Sequence, residues 1–182
     1  MDLIKVKTNR LDLIAGTLEM ATLEMNNLEQ LSQLLETETP EDWPPPLNDD
    51  ASQSYFYNFL KENPDAVGWT VWFITLRSEG KNKNKLIENG GFKGKPSADG
   101  RVEIGYSILE PYQRNGYATE AVQGLAEWAF SAGEVNCIIA ETFPDLHASI
   151  RVLEKNGFRF IGQGSEDGTI RYELGRKNFL NP

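Results

Sequence analysis

The sequence predicts a mixed α/β domain, a sheet with antiparallel and parallel parts and helices packed on it. Three observations carry that reading. The chain has 182 residues, about one domain's worth at roughly 150 residues each, so residues 1–182 read as a single unit. Residues 69–109 read as three successive antiparallel strands. The second half then alternates strand, helix, strand, helix and strand, an order that adds helices to a mixed sheet.

Arg10 to Ala15 alternates apolar Leu11, Leu13 and Ala15 with polar neighbours and reads as the first strand. Thr17 suits the N-cap of a helix from Leu18 to Met25, and Asn27 suits the cap of a second, in which Leu28, Leu31, Leu34 and Leu35 recur at helical spacing. Thr39 to Asp49 holds four of the nine prolines and reads as a loop. Asp50 to Glu62 groups Tyr55, Phe56, Phe59 and Leu60 into an amphipathic helix that stops before Pro64. Strands follow at Trp69–Leu76, Leu86–Gly94 and Arg101–Leu109, joined by turns at Gly80–Lys85 and Pro96–Gly100. Ala118, Ala121, Val122, Leu125, Ala126 and Ala129 then form one buried helical stripe, and Gly133 offers its stop. Cys137 to Phe143 is a strand, Leu146 to Asn156 a helix ended by Gly157, and Phe158–Gly164 with Thr169–Arg176 a closing hairpin.

Composition removes several classes of function. A formal net charge of −9 argues against a phosphate-backbone surface, so no nucleic-acid partner is expected. With Cys137 as the one cysteine and His147 as the one histidine, intramolecular disulfides are excluded and no metal site is expected. The apolar run Ala66 to Leu76 is too short to span a bilayer, and Met1 to Lys5 lacks the basic start of a signal peptide. The expectation is a cytoplasmic protein without a membrane partner; oligomeric state stays open, a homodimer included.

The sharpest motif is Gln113-Arg114-Asn115-Gly116-Tyr117-Ala118-Thr119, between a strand and the start of the alanine-rich helix. Unpaired amides and the positive end of the helix dipole meet there, and small residues at 116 and 118 let an anion reach the backbone. A plain tight turn explains the same residues equally well.

Around this motif stand Gly91-Phe92-Lys93-Gly94, Val102 to Ile108, Thr119-Glu120-Ala121, Ala140-Glu141-Thr142 and Ser149 to Phe158. In that set the sequence resembles the GCN5-related N-acetyltransferases, and within them the branch similar to ribosomal-protein N-terminal acetyltransferases. The resemblance implies a strongly twisted mixed sheet of about six to seven strands with helices on both faces. Its fourth and fifth strands, here Arg101–Leu109 and Cys137–Phe143, splay apart to admit acetyl-CoA. The diphosphate then rests on the backbone of Gln113, Arg114, Asn115, Gly116, Tyr117, Ala118 and Thr119. Arg114 supplies charge, and the pantetheine arm pairs with the backbone of Tyr106, Ser107 and Ile108 as an added strand would.

The resemblance also implies acetyl transfer to a primary amine by direct attack. A protonated amine must lose a proton first, and Glu103 matches the family's base; Glu141 is the second candidate. The family's acid tyrosine is replaced by Leu153, and Ser149 takes the role used by the similar branch, the alternative being a small residue that allows close packing. A backbone N–H near Tyr106 or Ser107 meets the oxyanion. Where the branch has a cofactor-contacting asparagine, this chain has Leu146, so His147 or a water must replace that hydrogen bond or affinity falls. His147 at a helix start and Cys137 at a strand start read more simply as incidental and core residues. Nine acids between Glu29 and Asp65 against Lys61 suggest a cationic acceptor, a protein N-terminus or a small amine, with Trp43 as an apolar wall; a solvated acidic surface explains them as well. The alternative function is an acyl-CoA-binding sensor that has lost turnover. A nucleotide-binding fold fits poorly, because the glycine loop follows a late antiparallel strand.

Overall fold

The computed structural model describes residues 3–80 and 82–180. Met1 and Asp2, on which the reading of the N-terminus rests, and Lys81, within the expected turn 80–85, lie outside the described residues. In chain order the elements are β1 (Lys5–Lys7), β2 (Leu11–Ala15), α1 (Leu18–Asn26), α2 (Leu28–Leu35), β3 (Thr37–Glu38), α3 (Asp50–Glu62), β4 (Val71–Leu76), β5 (Asn84–Phe92) and β6 (Arg101–Ile108). Then come α4 (Tyr117–Ser131), β7 (Cys137–Thr142), α5 (His147–Lys155), β8 (Arg159–Gln163), β9 (Ile170–Gly175) and α6 (Arg176–Leu180).

The strands form one open, mixed sheet in the order β1-β2-β4-β5-β6-β7-β9-β8, with β3 added beside β5. Pairing is antiparallel except at β3–β5 and β6–β7. Alternation along β2 and β4 sends side chains to two cores. Leu11, Leu13, Trp72 and Ile74 meet Ala121, Val122 and Leu125 of α4 on one face; Ile14, Val71 and Phe73 meet Met20, Leu31 and Trp43 on the other. Helices therefore cover both faces. Fully burying a side chain such as Leu13 or Phe73 contributes about 1.5–3 kcal/mol.

The caps at Thr17 and Asn27 are where the sequence puts them, and Asp49 adds a third. Thr17 Oγ1 accepts from the Met20 amide at 3.3 Å, Asn27 Oδ1 from the Gln30 amide at 3.1 Å, and Asp49 Oδ1 from the Ser52 amide at 2.9 Å. The α4 stripe is small because the helix lies close on the sheet: a Cβ at Gly124 would stand 2.9 Å from Thr8 Cγ2. Among the described residues nine strands occur, more than the expected six to seven. The additions are β1 and β3, of three and two residues, too short to show a period. The two strands expected to splay as fourth and fifth are consequently β6 and β7.

Candidate active site

The β6–β7 ladder pairs Arg101 with Cys137, Val102 with Ile138 and Glu103 with Ile139, and then stops. Beyond it β6 runs on beside β5 while β7 follows β9, so the strands part. The Lys93 amide donates to the Glu103 carbonyl and the Leu109 amide to the Ile87 carbonyl, both at 3.0 Å, so odd-numbered β6 residues spend their backbone groups on β5. Ile104, Tyr106 and Ile108 thus aim theirs into the opening. Ser107, expected beside them, turns its backbone to β5, and its hydroxyl accepts from the Leu47 amide at 3.2 Å. A Cβ at Gly105 would meet nothing within 4 Å. The opening belongs to a cleft of about 1100 Å³ that runs to the start of α4.

At that far end Gln113, Arg114, Gly116, Tyr117, Ala118 and Thr119 line the cleft. The first α4 hydrogen bond runs from the Glu120 amide to the Gly116 carbonyl at 3.1 Å, so the amides of Tyr117, Ala118 and Thr119 have no carbonyl one turn back. Gly116 has φ +80° and Arg114 φ +63°, a left-handed pair of positions that curls the loop. The amide of Gln113 is already used, donating to Glu110 at 3.1 Å. Asn115 stays outside the cleft lining: its Nδ2 folds back on the carbonyls of Tyr112 and Gln113, and its carbonyl accepts from Arg10 Nη1 at 3.0 Å. Arg10 Nε also pairs with Glu120 Oε2 at 2.7 Å, tying the loop to β2. The sequence did not single out this clamp, nor Arg151 and Lys155, one helical turn apart on α5, which line the cleft with Arg114.

Glu103 lies on β6 at the vertex of the splay, cross-strand from Lys93, whose ammonium forms an ion pair with Glu103 Oε1. Lys93, and not Glu103, contributes to the cleft lining. The second candidate base is in a different state. Glu141 accepts from the Ser165 amide at 2.9 Å and from Arg171 Nη2 at 2.6 Å. Burial alone would raise its carboxyl, but these partners outweigh that and hold it at about 2. So satisfied a carboxylate is a poor proton acceptor, and Glu141 reads as a brace between β7 and the β8–β9 turn.

Ser149 faces the cleft from α5, and its Oγ lies 3.0 Å from the Tyr106 hydroxyl, which also donates to the Ser149 carbonyl at 3.1 Å. Burial, joined by the charge of Glu88 and opposed by the Ser149 hydrogen bond, keeps the Tyr106 phenol protonated well above its usual range. The sequence marks Tyr106 for its backbone; its hydroxyl is an addition. Leu146 is exposed in the cleft mouth, whereas His147 and Cys137 lie outside the lining.

Pro46, Leu47, Ser52 and Phe56 also line the cleft. None of the nine acids between 29 and 65 lines it. Trp43 is not a cleft wall: it is buried against Phe73, and its Nε1 donates to Glu24 Oε1 at 3.2 Å. Apolar bulk and a buried acid pull it into the core beneath the loop. No group of ligands suited to a metal ion occurs among the described residues, and no helix among them is long and apolar enough to cross a membrane.

A parted β6–β7 pair opening on free helix amides is the architecture that the motifs imply. The sequence pattern of the Acetyltransferase (GNAT) domain matches residues 18–159. A relative from Bacillus subtilis (strain 168), the uncharacterized N-acetyltransferase YjdG, is 31% identical over 158 residues, covering 86% of this chain and 90% of its own. The chain belongs to the GNAT family of acetyltransferases and is an acyltransferase. Among solved structures, RimJ of Mycobacterium smegmatis in complex with CoA-disulfide superposes with TM-score 0.61 at 16% identity, over 96% of this chain and 87% of that one. The ribosomal-protein-S5-alanine acetyltransferase of Vibrio fischeri gives 0.63 at 16% identity, over 97% and 98%. At that identity the likeness is one of fold.

Proposed function

We propose that this protein transfers an acetyl group from acetyl-CoA to a primary amine by direct attack, with Glu103 as base. The observation that carries the reading is the end of the β6–β7 ladder at Glu103 and Ile139, which leaves backbone groups free along β6 and leads to the free amides of α4. The chain's own residues fit the donor. Gly116, Tyr117, Ala118 and Thr119 offer amides to a diphosphate, with Arg114, Arg151 and Lys155 as cations at the same end. Tyr106 and Ile108 offer the backbone that an extended amide-bearing arm pairs with. When bound, the thioester supplies an acyl carbon already activated for attack.

At the other end, the Lys93 ammonium pairs with Glu103 and feels the more distant negative charge of Glu166 and Glu141. Glu103 thus already holds one cation at the cleft, a place that suits an acceptor ammonium. In this mechanism the acceptor displaces Lys93, Glu103 takes one proton from its ammonium, the Tyr106 N–H meets the developing oxyanion, and the Tyr106–Ser149 hydroxyl pair gives a proton to the departing sulfur while regaining the nitrogen's second one. Two acceptor classes fit, a protein N-terminus and a small cationic amine. The fold neighbour from Vibrio fischeri is named for a ribosomal-protein alanine, and Leu47 and Phe56 in the cleft suit an apolar first side chain. The test is thiol release from acetyl-CoA with a panel of peptides and polyamines. Turnover on one class assigns it; tight binding of acetyl-CoA with no release on any member would favour the sensor reading instead.

A further inference from the structure

Lys93 directly follows β5, and its ammonium is placed beside Glu103 of β6 and under the influence of Glu166 of the β8–β9 turn and Glu141 of β7. Its side chain is 51% exposed and lines the cleft, while Glu103 is absent from that lining. A primary amine that lines the cleft thus stands against the proposed base. Lys95, two residues on, points elsewhere and pairs with Asp65 at 2.5 Å.

We propose that Lys93 is a self-acetylation site, modified by the acetyl-CoA bound in the same chain. The inference rests on the reading of Glu103 as base and of the β6–β7 opening as the thioester site. In the step, Glu103 takes a proton from the Lys93 ammonium, and the freed Nζ forms a bond to the thioester carbonyl carbon. The carbon–sulfur bond breaks and the thiolate leaves with its electron pair; it gains a proton from the Tyr106–Ser149 pair, which regains one as the attacking nitrogen gives up its second proton. The products are Nε-acetyl-Lys93 and free thiol, with no redox partner required. Burial favours the neutral amine, but the three carboxylates outweigh it and raise the ammonium above the usual lysine range, so the step is slow beside turnover on an acceptor. Its consequence is specific: acetylation removes the cation that covers Glu103.

The experiment incubates the full chain with isotopically labelled acetyl-CoA and no acceptor, and maps the label by peptide mass spectrometry while calorimetry on the same sample measures acetyl-CoA binding. The expected result is label at Lys93 accumulating at least about tenfold faster than at exposed Lys5 and Lys61, since general-base assistance is worth roughly 10²–10⁴-fold. The rate per chain should not change with protein concentration. Glu103→Gln should slow labelling of Lys93 while acetyl-CoA still binds, and Lys93→Arg should remove that label. Bound acetyl-CoA with Lys93 labelled no faster than Lys5 and Lys61 would overturn the inference alone. Absence of binding would overturn the proposed function and this inference with it.

Discussion

Replacing Glu24 by Gln should make the protein's stability less sensitive to pH, and the size of the effect follows from the burial of one carboxyl. Glu24 of α1 lies beneath the proline-rich loop, where its Oε1 accepts from Asn48 Nδ2 at 2.7 Å and from Trp43 Nε1 at 3.2 Å. Desolvation outweighs both hydrogen bonds and raises the carboxyl from 4.5 to about 7. At about 1.36 kcal/mol per pH unit, the difference amounts to about 3 kcal/mol. A folded-state value above the unfolded one means that this contribution is fully present below about 4.5 and is lost as pH rises through about 7. Glutamine keeps an oxygen for Trp43 and Asn48 and has no charge to bury. Urea unfolding of both proteins at several pH values between 4.5 and 8 checks this. The variant should gain on the wild type by up to about 3 kcal/mol across that window. A stability difference that stays constant with pH would refute the reasoning.

The other expectations concern the cleft. Glu103→Gln should lower kcat by roughly 10²-fold or more, with the greatest loss at pH values where the acceptor is protonated, and should leave acetyl-CoA binding nearly intact by calorimetry. Tyr106→Phe should lower kcat by about tenfold and leave Ser149 without its hydroxyl partner, and Ser149→Ala added to it should cost little more if the two act as a unit, as steady-state kinetics of the double variant will show. Gly116→Trp should abolish acetyl-CoA binding, because φ +80° at that position disfavours any side chain and the indole would crowd the amides; unchanged affinity in titration calorimetry would contradict the phosphate placement.

Most of the scaffold was legible because it rests on local signals. Asp50 to Glu62 is helical over its full expected range, and the alanine stripe of α4 packs on the sheet as its spacing requires. What escaped the sequence depends on contacts between distant segments. Trp43 reads as an apolar wall for the acceptor in a proline-rich loop until Glu24, nineteen residues away, is seen to hold its indole. Glu88 is fully buried with both carboxylate oxygens unpartnered, an outcome that alternation does not foretell because the β4–β5 register shifts between Ile74 and Thr75. In the site, Glu103, Ser149 and the 113–119 loop were marked by their motif positions. The motif Gly91 to Gly94 assigns no role to Lys93, since its ion pair with Glu103 is a matter of strand register. The acidic run from 29 to 65 supports a solvated surface as well as a cationic acceptor; sequence counts charge, and the fold places none of these nine acids in the cleft lining.

The most direct test is a crystal structure of the protein with acetyl-CoA. The account predicts the diphosphate within hydrogen-bonding distance of the amides of Gly116 to Thr119 and the thioester between β6 and β7, beside Tyr106 and within reach of Lys93 and Glu103. A donor bound elsewhere, or a β6–β7 opening filled by side chains with the ligand absent, would contradict it.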